Sequence, residues 1–264
     1  MVGANRSTTY PSVDLDSGQY SRDSIEKYEL AYGRHFVSPG GREASRALIE
    51  RMALPAGSRV LDVGCGLGGC AFLMAETFRF TVDAIDLSHN MIAIAKERLN
   101  EFPTLVDQVH IWQGDCMTLT DSDAYQGIYS RDVFLHIKEK SSLFAVLFRA
   151  LNAHGILLFT DYCCSEGPWD TAFSDYVERR GYHLRTVEQY ESLLRKSGFE
   201  VMMANDVTES FIRHCEEELK RIQALDPNNT ARQELVDDWI RKISRARESN
   251  QRWGLFMARK PGGS

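Results

Sequence analysis

The fold of this chain is decided by residues 59–69, which read RVLDVGCGLGG. The first five of these residues are mostly apolar and run directly into glycines, a pattern typical of a buried strand that turns sharply into a helix. Glycines at 64, 66 and 69 also satisfy G-x-G-x-x-G, the fingerprint of a dinucleotide-binding turn. The segment therefore predicts the first strand of an α/β sheet, with a ligand-binding loop at its carboxyl end.

Outward from this segment, short apolar strands alternate with helical stretches. Further strands are predicted at 80–86, 109–113, 126–130, 155–162, 199–204 and 252–258. Strands separated by helices predict a parallel, doubly wound sheet. A last strand that follows a late helical stretch favours a reversed hairpin at the sheet edge, as in Rossmann-like class I methyltransferases. We therefore expect an α/β fold with a seven-stranded, mostly parallel sheet.

The predicted domain organisation is one sheet domain with helical additions. Residues 1–18 are polar and rich in Ser and Thr, which predicts a flexible N-terminal arm. Residues 19–264 are predicted to form a single domain, with a helical lid at 19–53 and cap insertions at about 166–185 and 206–248. A chain of 264 residues buries enough apolar surface to fold without disulfides or metals.

Composition and charge restrict the classes of partner. The formal net charge of −6 argues against a polyanion such as nucleic acid, whereas a small phosphorylated ligand needs only a few local cations. The chain has no run of about 18 apolar residues, which predicts no membrane span. Its six cysteines include no CxxC pair and its histidines show no metal-ligand spacing. We expect reduced thiols, no metal site, a cytoplasmic location and a monomer.

The glycine pattern alone fits both a nicotinamide-dependent oxidoreductase and a methyltransferase, but three carboxylates at predicted strand ends separate them. Asp62 would repel a pyrophosphate, whereas it suits the cationic methionine end of a cofactor that has no phosphate. Asp86 ends the second strand, where it can accept hydrogen bonds from both hydroxyls of a ribose. Asp115 follows the third strand and can accept from an adenine amino group. Together these acids resemble the S-adenosylmethionine pocket of class I methyltransferases.

Segments outside the glycine loop narrow the resemblance. They are Gln19-Tyr20, Tyr28, Val37 to Gly41, Tyr129 to Asp132, Leu135 to Ile137, Thr160 to Cys163, Tyr176 to Tyr182, Thr186 to Tyr190, Trp239 to Lys242 and Gln251 to Gly254. This set resembles the phosphoethanolamine N-methyltransferases, which methylate phosphobases to give phosphocholine for phosphatidylcholine synthesis. The resemblance covers nearly the whole chain, from about Gln19 to Lys260.

The resemblance implies a cofactor, a reaction and catalytic residues. The cofactor is S-adenosylmethionine, with S-adenosylhomocysteine as its product, and the reaction is N-methylation of phosphoethanolamine or its methylated forms. Because a primary ammonium has a pKa near 10, only about one molecule in a thousand is neutral at pH 7, so a base is needed. The family's Tyr–His pair corresponds to Tyr20 and His136, and Asp132 is placed to hold the ammonium or to orient the imidazole. The implied cofactor-binding residues are Ser38, Asp62, Gly64, Gly66, Asp86, Leu87, Asp115, Cys116 and Arg131.

The resemblance also implies a phosphate site built from hydroxyl or amide donors and two cations. Such a set suits a phosphate dianion. The implied residues are Gln19, Tyr28, Tyr162, Tyr176, Arg180, Tyr182 and Lys242.

Three alternatives stay open at this point. They are a methyltransferase for another small acceptor such as a sterol or a free amine, a nicotinamide-dependent oxidoreductase, and a cofactor-binding module without activity. The methylation steps performed are also open, as is whether the chain is a natural single-domain enzyme or half of a two-domain protein.

Overall fold

A computed structural model describes Asp16, residues 21–248 and residues 250–262. In these ranges seven strands form one sheet: β1 (Arg59–Val63), β2 (Thr81–Asp86), β3 (Val109–Gln113), β4 (Tyr125–Arg131), β5 (Leu151–Cys164), β6 (Glu200–Asp206) and β7 (Gln251–Arg259). Their order is β3-β2-β1-β4-β5-β7-β6. Strand β7 pairs antiparallel with both β5 and β6, and the other pairs are parallel. The predicted fold class is confirmed, with β7 as the single reversed strand.

The helices of the described ranges are α1 (Arg22–Tyr32), α2 (Gly41–Arg51), α3 (Gly69–Phe78), α4 (His89–Leu99), α5 (Lys140–Ala150), α6 (Thr171–Arg180), α7 (Val187–Lys196), α8 (Thr208–Gln223) and α9 (Arg232–Arg247). The stretch 206–248, predicted as a helical cap insertion, contains two separate helices, α8 and α9. Between them Asp226 accepts from the backbone N–H of Asn228, at 2.8 Å, in a local turn. A proline at 227 cannot continue α8, since it has no N–H to donate.

The core has one large cluster on each face of the sheet, and two smaller clusters lie at the carboxyl end of β5. One of these smaller clusters packs α1, α8 and α9 around Trp239 and Trp253. Another packs α6 against Leu135 and Cys164. Tyr162 touches both of them from β5. The helices outside the sheet domain therefore gather where the parallel strands end, which is where sheets of this kind bind ligands.

Candidate active site

The loop after β1 approaches its neighbours too closely for side chains. Gly64, Gly66 and Gly68 all have positive φ, at 71°, 52° and 82°. A Cβ on Gly64 would lie 2.2 Å from Cγ2 of Val133. Glycine is therefore required for both backbone conformation and space, and the loop forms a bare backbone cradle at the start of α3.

Asp86 joins this loop to α4. Its Oδ2 accepts from the N–H of Gly66 and its Oδ1 from the N–H of Ser88, both at 2.9 Å. Burial raises the pKa of Asp86, although these two hydrogen bonds oppose the rise. The two hydrogen bonds fix the carboxylate in place. Each oxygen has a second lone pair, so the group can also accept hydrogen bonds from a pair of hydroxyls.

Asp62 is a buried carboxyl group with an unsatisfied oxygen. Its side chain lies on β1 with the residue only 2% exposed, and Oδ2 has no hydrogen-bond partner in the described part of the chain. Burial, followed by the charge of Asp86, raises the pKa of Asp62 to about 8. A cation beside this group favours its charged carboxylate form, whereas a pyrophosphate disfavours that form and raises the pKa further. The residues present therefore fit S-adenosylmethionine better than a nicotinamide dinucleotide.

Asp115 completes the row of acids along the carboxyl ends of β1, β2 and β3. It caps the short turn Cys116–Thr118 by accepting from the N–H of Met117 at 2.8 Å. The Cys116 side chain is buried, and burial raises the pKa of its thiol to about 12. Leu87, directly after Asp86, is 56% exposed and offers an apolar surface at the same edge. The three acids predicted as a group thus lie at the carboxyl ends of three neighbouring strands.

Arg131 is buried and holds the N-terminal segment against the sheet. Its guanidinium donates to Oγ of Ser45 at 2.8 Å and to the carbonyl of Pro39 at 2.6 Å. These contacts fix the turn that carries Ser38. A cation in this position supports the turn, and its Nε is buried without a hydrogen-bond partner in the described part of the chain.

Asp16 is the one residue of the predicted N-terminal arm that the structure describes. Its carboxylate accepts from Oγ of Ser88 at 2.5 Å and from the N–H groups of His89 at 3.1 Å and Asn90 at 3.4 Å. The N-terminus of α4 favours a negative charge there. Gln19 and Tyr20, the predicted phosphate ligand and the predicted partner of His136, lie outside the described residues.

His136 lies on a short turn, Phe134–His136, directly after β4. Its ring meets the ring of Tyr182 edge to face, with 5.2 Å between the centroids. Burial lowers the pKa of His136 to about 4, and the charges of Lys140 and Arg180 act in the same direction. The imidazole is therefore neutral at pH 7 and has a nitrogen lone pair with which to accept a proton.

Asp132 adopts a left-handed conformation, with φ of 56°, at the end of β4. Its Oδ1 accepts from the indole N–H of Trp253 at 2.7 Å and from Oγ1 of Thr160 at 3.1 Å. Its Oδ2 is buried and has no hydrogen-bond partner in the described ranges. Trp253 and Thr160 thus orient the carboxylate so that one oxygen remains for a cation. The sequence predicts Trp253 only as part of a strand, and its hydrogen bond to Asp132 has no signal in the sequence.

A continuous path of aromatic rings leads from His136 to the cations. Tyr182 lies 5.8 Å from the ring of Tyr176. Two guanidinium groups approach that same ring: Arg245 at 4.0 Å and Arg180 at 5.9 Å from the centroid. The sequence predicted Arg180 but not Arg245, which is one of several cations along α9.

The path continues across α1 to the third cation. Arg180 hydrogen bonds Tyr28, and the rings of Tyr28 and Tyr32 lie 6.3 Å apart. Lys242 donates to the hydroxyl of Tyr32 at 2.5 Å and stands 4.2 Å above the Trp239 ring. Tyr162, whose pKa is raised first by burial and then by Tyr32 and Asp132, lies beside them. The structure therefore brings together all the predicted phosphate-side residues that it describes.

Among the described residues, no three His, Cys, Asp or Glu side chains are grouped so that they could hold a metal ion. No helix of the described chain has the length and apolar character needed to cross a membrane.

Comparison with known proteins places these observations in a family. A family model described as a methyltransferase domain matches residues 34–204. Phosphoethanolamine N-methyltransferase 1 of Arabidopsis thaliana is 39% identical over 253 residues, which are 93% of this chain and 51% of that protein. Phosphoethanolamine N-methyltransferase of Plasmodium falciparum is 31% identical over 93% of this chain and 95% of its own length. The chain thus spans about half the length of the plant relatives and nearly all of the Plasmodium one.

A solved structure is similar throughout the fold. Phosphoethanolamine N-methyltransferase 2 of Haemonchus contortus, in complex with phosphomonomethylethanolamine and S-adenosylhomocysteine, superposes with a TM-score of 0.87 at 34% identity. The match covers 94% of this chain and 59% of that one. A sarcosine dimethylglycine methyltransferase homologue from Galdieria sulphuraria, 20% identical with a TM-score of 0.72, shares the fold.

Proposed function

We propose, since the chain belongs to the phosphoethanolamine N-methyltransferase family, that it transfers methyl groups from S-adenosylmethionine to the amine of a phosphobase. The substrate is phosphoethanolamine, its mono- or dimethyl form, or more than one of these, and the methylations lead to phosphocholine for phosphatidylcholine synthesis. Two buried carboxylate oxygens without hydrogen-bond partners, Oδ2 of Asp62 and Oδ2 of Asp132, carry this proposal. One suits the cationic methyl donor and the other suits the ammonium of the acceptor.

The cofactor would be held along the carboxyl ends of β1, β2 and β3. Asp62 would face its cationic end, Asp86 would accept hydrogen bonds from its ribose hydroxyls and Asp115 would accept one from its adenine amino group. When bound, S-adenosylmethionine supplies a methyl group on a sulfonium, which is reactive toward an amine lone pair. The remaining residues of the site shape the cradle and its edge: Ser38, Gly64, Gly66, Leu87, Cys116 and Arg131.

The acceptor would be oriented by its charge. Asp132 holds the ammonium at Oδ2, and a ring nitrogen of His136 takes the proton that the amine must lose before it can react. With a pKa of about 4 the imidazole is a weak base before the substrate binds; burial is the main cause of that low value, and the charge of Arg180 is a further cause. A phosphate dianion bound to Arg180 opposes this cause, so the substrate itself makes His136 a stronger base. Tyr20 is the proposed partner of His136 in this transfer.

The phosphate would be bound by the aromatic and cationic cluster. Arg180, Lys242 and, in addition, Arg245 supply positive charge, and the tyrosine hydroxyl groups supply donors. This cluster favours a phosphobase over a sterol or a free amine, because neither of those acceptors has a negative charge for the three cations beside the tyrosines to bind. The helices α1, α6 and α9 carry most of it, which gives the proposed lid and cap segments a role in substrate choice.

The test compares two neighbouring arginines. Both residues are exposed at the surface, but Arg180→Gln removes the guanidinium that contacts Tyr28 and Tyr176, whereas Arg179→Gln removes the guanidinium of its neighbour in the chain. We expect Arg180→Gln to raise KM for phosphoethanolamine by about 10-fold or more, as for a lost charge-assisted contact, with unchanged affinity for S-adenosylmethionine. Arg179→Gln should stay within about twofold of the parent. Equal effects of the two variants, or equal methylation of unphosphorylated ethanolamine, would contradict a phosphate site here.

A further inference from the structure

Lys140 is a buried lysine for which the proposed reaction has no direct use. It is the first residue of α5 and is only 2% exposed. Helix N-termini favour negative charge, so a lysine at this position opposes the dipole of its own helix and does not stabilise it. Burial lowers the pKa of Lys140, and the charge of Asp161 opposes that effect. Because a lysine here is unfavourable both for the helix dipole and for burial of its charge, its contacts point to a role other than stabilising α5.

All three donors of the Lys140 ammonium are used on backbone carbonyls. Nζ donates to Phe134 at 2.7 Å, to Ile137 at 2.5 Å and to His183 at 2.9 Å. An ammonium has three N–H groups, so three acceptors satisfy the charged form completely. The first two carbonyls flank His136 in the chain. The third belongs to the residue after Tyr182, whose ring contacts the ring of His136.

The peptide group between Phe134 and Leu135 is held from both ends. Its carbonyl accepts from Lys140, and its N–H donates to Oδ1 of Asp161 at 3.1 Å. Positive charge at the oxygen and negative charge at the hydrogen both match the direction of the peptide dipole. The hydroxyl of Tyr190 donates to the other oxygen of Asp161, which fixes that carboxylate. Lys140 and Asp161 therefore form a clamp on the turn that carries His136.

The clamp also joins two segments that are distant in sequence. The N–H of His183 donates to the carbonyl of Leu135 at 2.7 Å, while the carbonyl of His183 accepts from Lys140. Residue 183 is thus bonded to the His136 turn on both sides of its backbone. Consequently the position of Tyr182, on the phosphate side, is tied to the position of His136, on the amine side.

We propose that Lys140 is a positioning residue, which with Asp161 sets the distance between the proton acceptor His136 and the phosphate-side Tyr182. This inference rests on the proposed function for the meaning of that distance, but the contacts themselves do not depend on it. The titratable groups that influence the pKa of His136 are Lys140, Arg180 and His183. Those that influence the pKa of Lys140 are Asp161, Arg185 and Cys163.

The experiment replaces Lys140 in two backgrounds. Lys140→Met removes the charge and all three donors. The double variant Lys140→Met/Asp161→Asn also removes the buried carboxylate that would otherwise be left unpaired, so it should fold even if the single variant does not. Lys138→Met is the matched control, because it removes a lysine two residues from His136 that is exposed to solvent. Two quantities are measured: kcat with phosphoethanolamine, and the pKa of His136 from the NMR titration of labelled histidine.

We expect kcat to fall by about 10²-fold in both Lys140 variants, which is the effect of a misplaced reacting group, with cofactor affinity within twofold of the parent. The pKa of His136 should rise by about one, since a nearby positive charge is gone. Lys138→Met should change neither quantity. A folded double variant with parental kcat and an unchanged His136 titration would overturn the proposal. The titration needs no substrate, so a chain that methylated no phosphobase would refute the proposed function and still leave the clamp testable.

Discussion

Binding of S-adenosylmethionine is expected to expel a proton from Asp62. With a pKa of about 8, raised by burial and by Asp86, this carboxyl is about 90% protonated at pH 7 in the free protein. A cation at its unpartnered Oδ2 favours the carboxylate and returns the pKa toward its ordinary range. Binding at pH 7 should therefore release about 0.9 proton, and ionising the group there costs about 1.4 kcal/mol of cofactor affinity. Because that cost disappears toward pH 8, affinity should rise nearly tenfold from pH 6 to pH 7.

Isothermal titration calorimetry in buffers of different ionisation enthalpy measures this proton count directly. The useful range is pH 6 to 7, where the α-amino group of the ligand is itself mostly protonated. Asp62→Asn should bind with almost no proton release and with an affinity that hardly depends on pH. Asp107→Asn, at an exposed position away from the site, should behave like the parent. Release of less than about 0.2 proton by the parent, or equal release by Asp62→Asn, would refute the assignment of Asp62 to the cationic end of the cofactor.

The remaining predictions concern His136 and Trp253. His136→Ala should nearly abolish methyl transfer while cofactor affinity stays within about twofold; a matching loss of cofactor binding would mean a structural role instead. Since the pKa of His136 is about 4 when folded and near 6.5 when unfolded, only the unfolded chain takes up this proton between those values. The contribution of the neutral His136 to the free energy of unfolding is therefore present above pH 6.5 and is lost as the pH falls toward 4, by up to about 3 kcal/mol. Urea unfolding of the parent and of His136→Gln at both pH values measures this loss. Trp253→Phe removes a donor from the buried Asp132 and should cost about 2 kcal/mol of unfolding free energy and raise KM for the phosphobase. Unchanged values of both quantities would show that the indole N–H does not orient Asp132.

Much of the fold could be predicted because it depends on short-range patterns. A buried parallel strand is an apolar run bounded by turn residues, and each of the seven predicted strands overlaps an observed one. The boundaries were less accurate where tertiary pairing extends a strand beyond its apolar run. Strand β5 begins at Leu151 rather than at 155, since Leu151 pairs with Tyr125 across a bulge.

The cofactor acids could be predicted for the same reason: each lies at or just after the carboxyl end of a strand, and parallel strands end at one edge. Contacts between distant residues could not be predicted this way. Trp253 reaches Asp132 across 121 positions in the chain, and Lys140 reaches His183 across 43. The local periodicity of a sequence predicts neither the direction in which a side chain points nor which two distant segments pair. A buried lysine at a helix start and a core tryptophan with a polar partner therefore became visible only in three dimensions.

The most direct test of the central claim is methyl transfer to the three phosphobases. The protein is incubated with methyl-labelled S-adenosylmethionine and, separately, with phosphoethanolamine, its monomethyl form and its dimethyl form. We predict label in at least one of the phosphorylated products, and no comparable label with ethanolamine, which lacks the phosphate. A protein that demonstrably binds S-adenosylmethionine but transfers no label to any of the three would contradict the account.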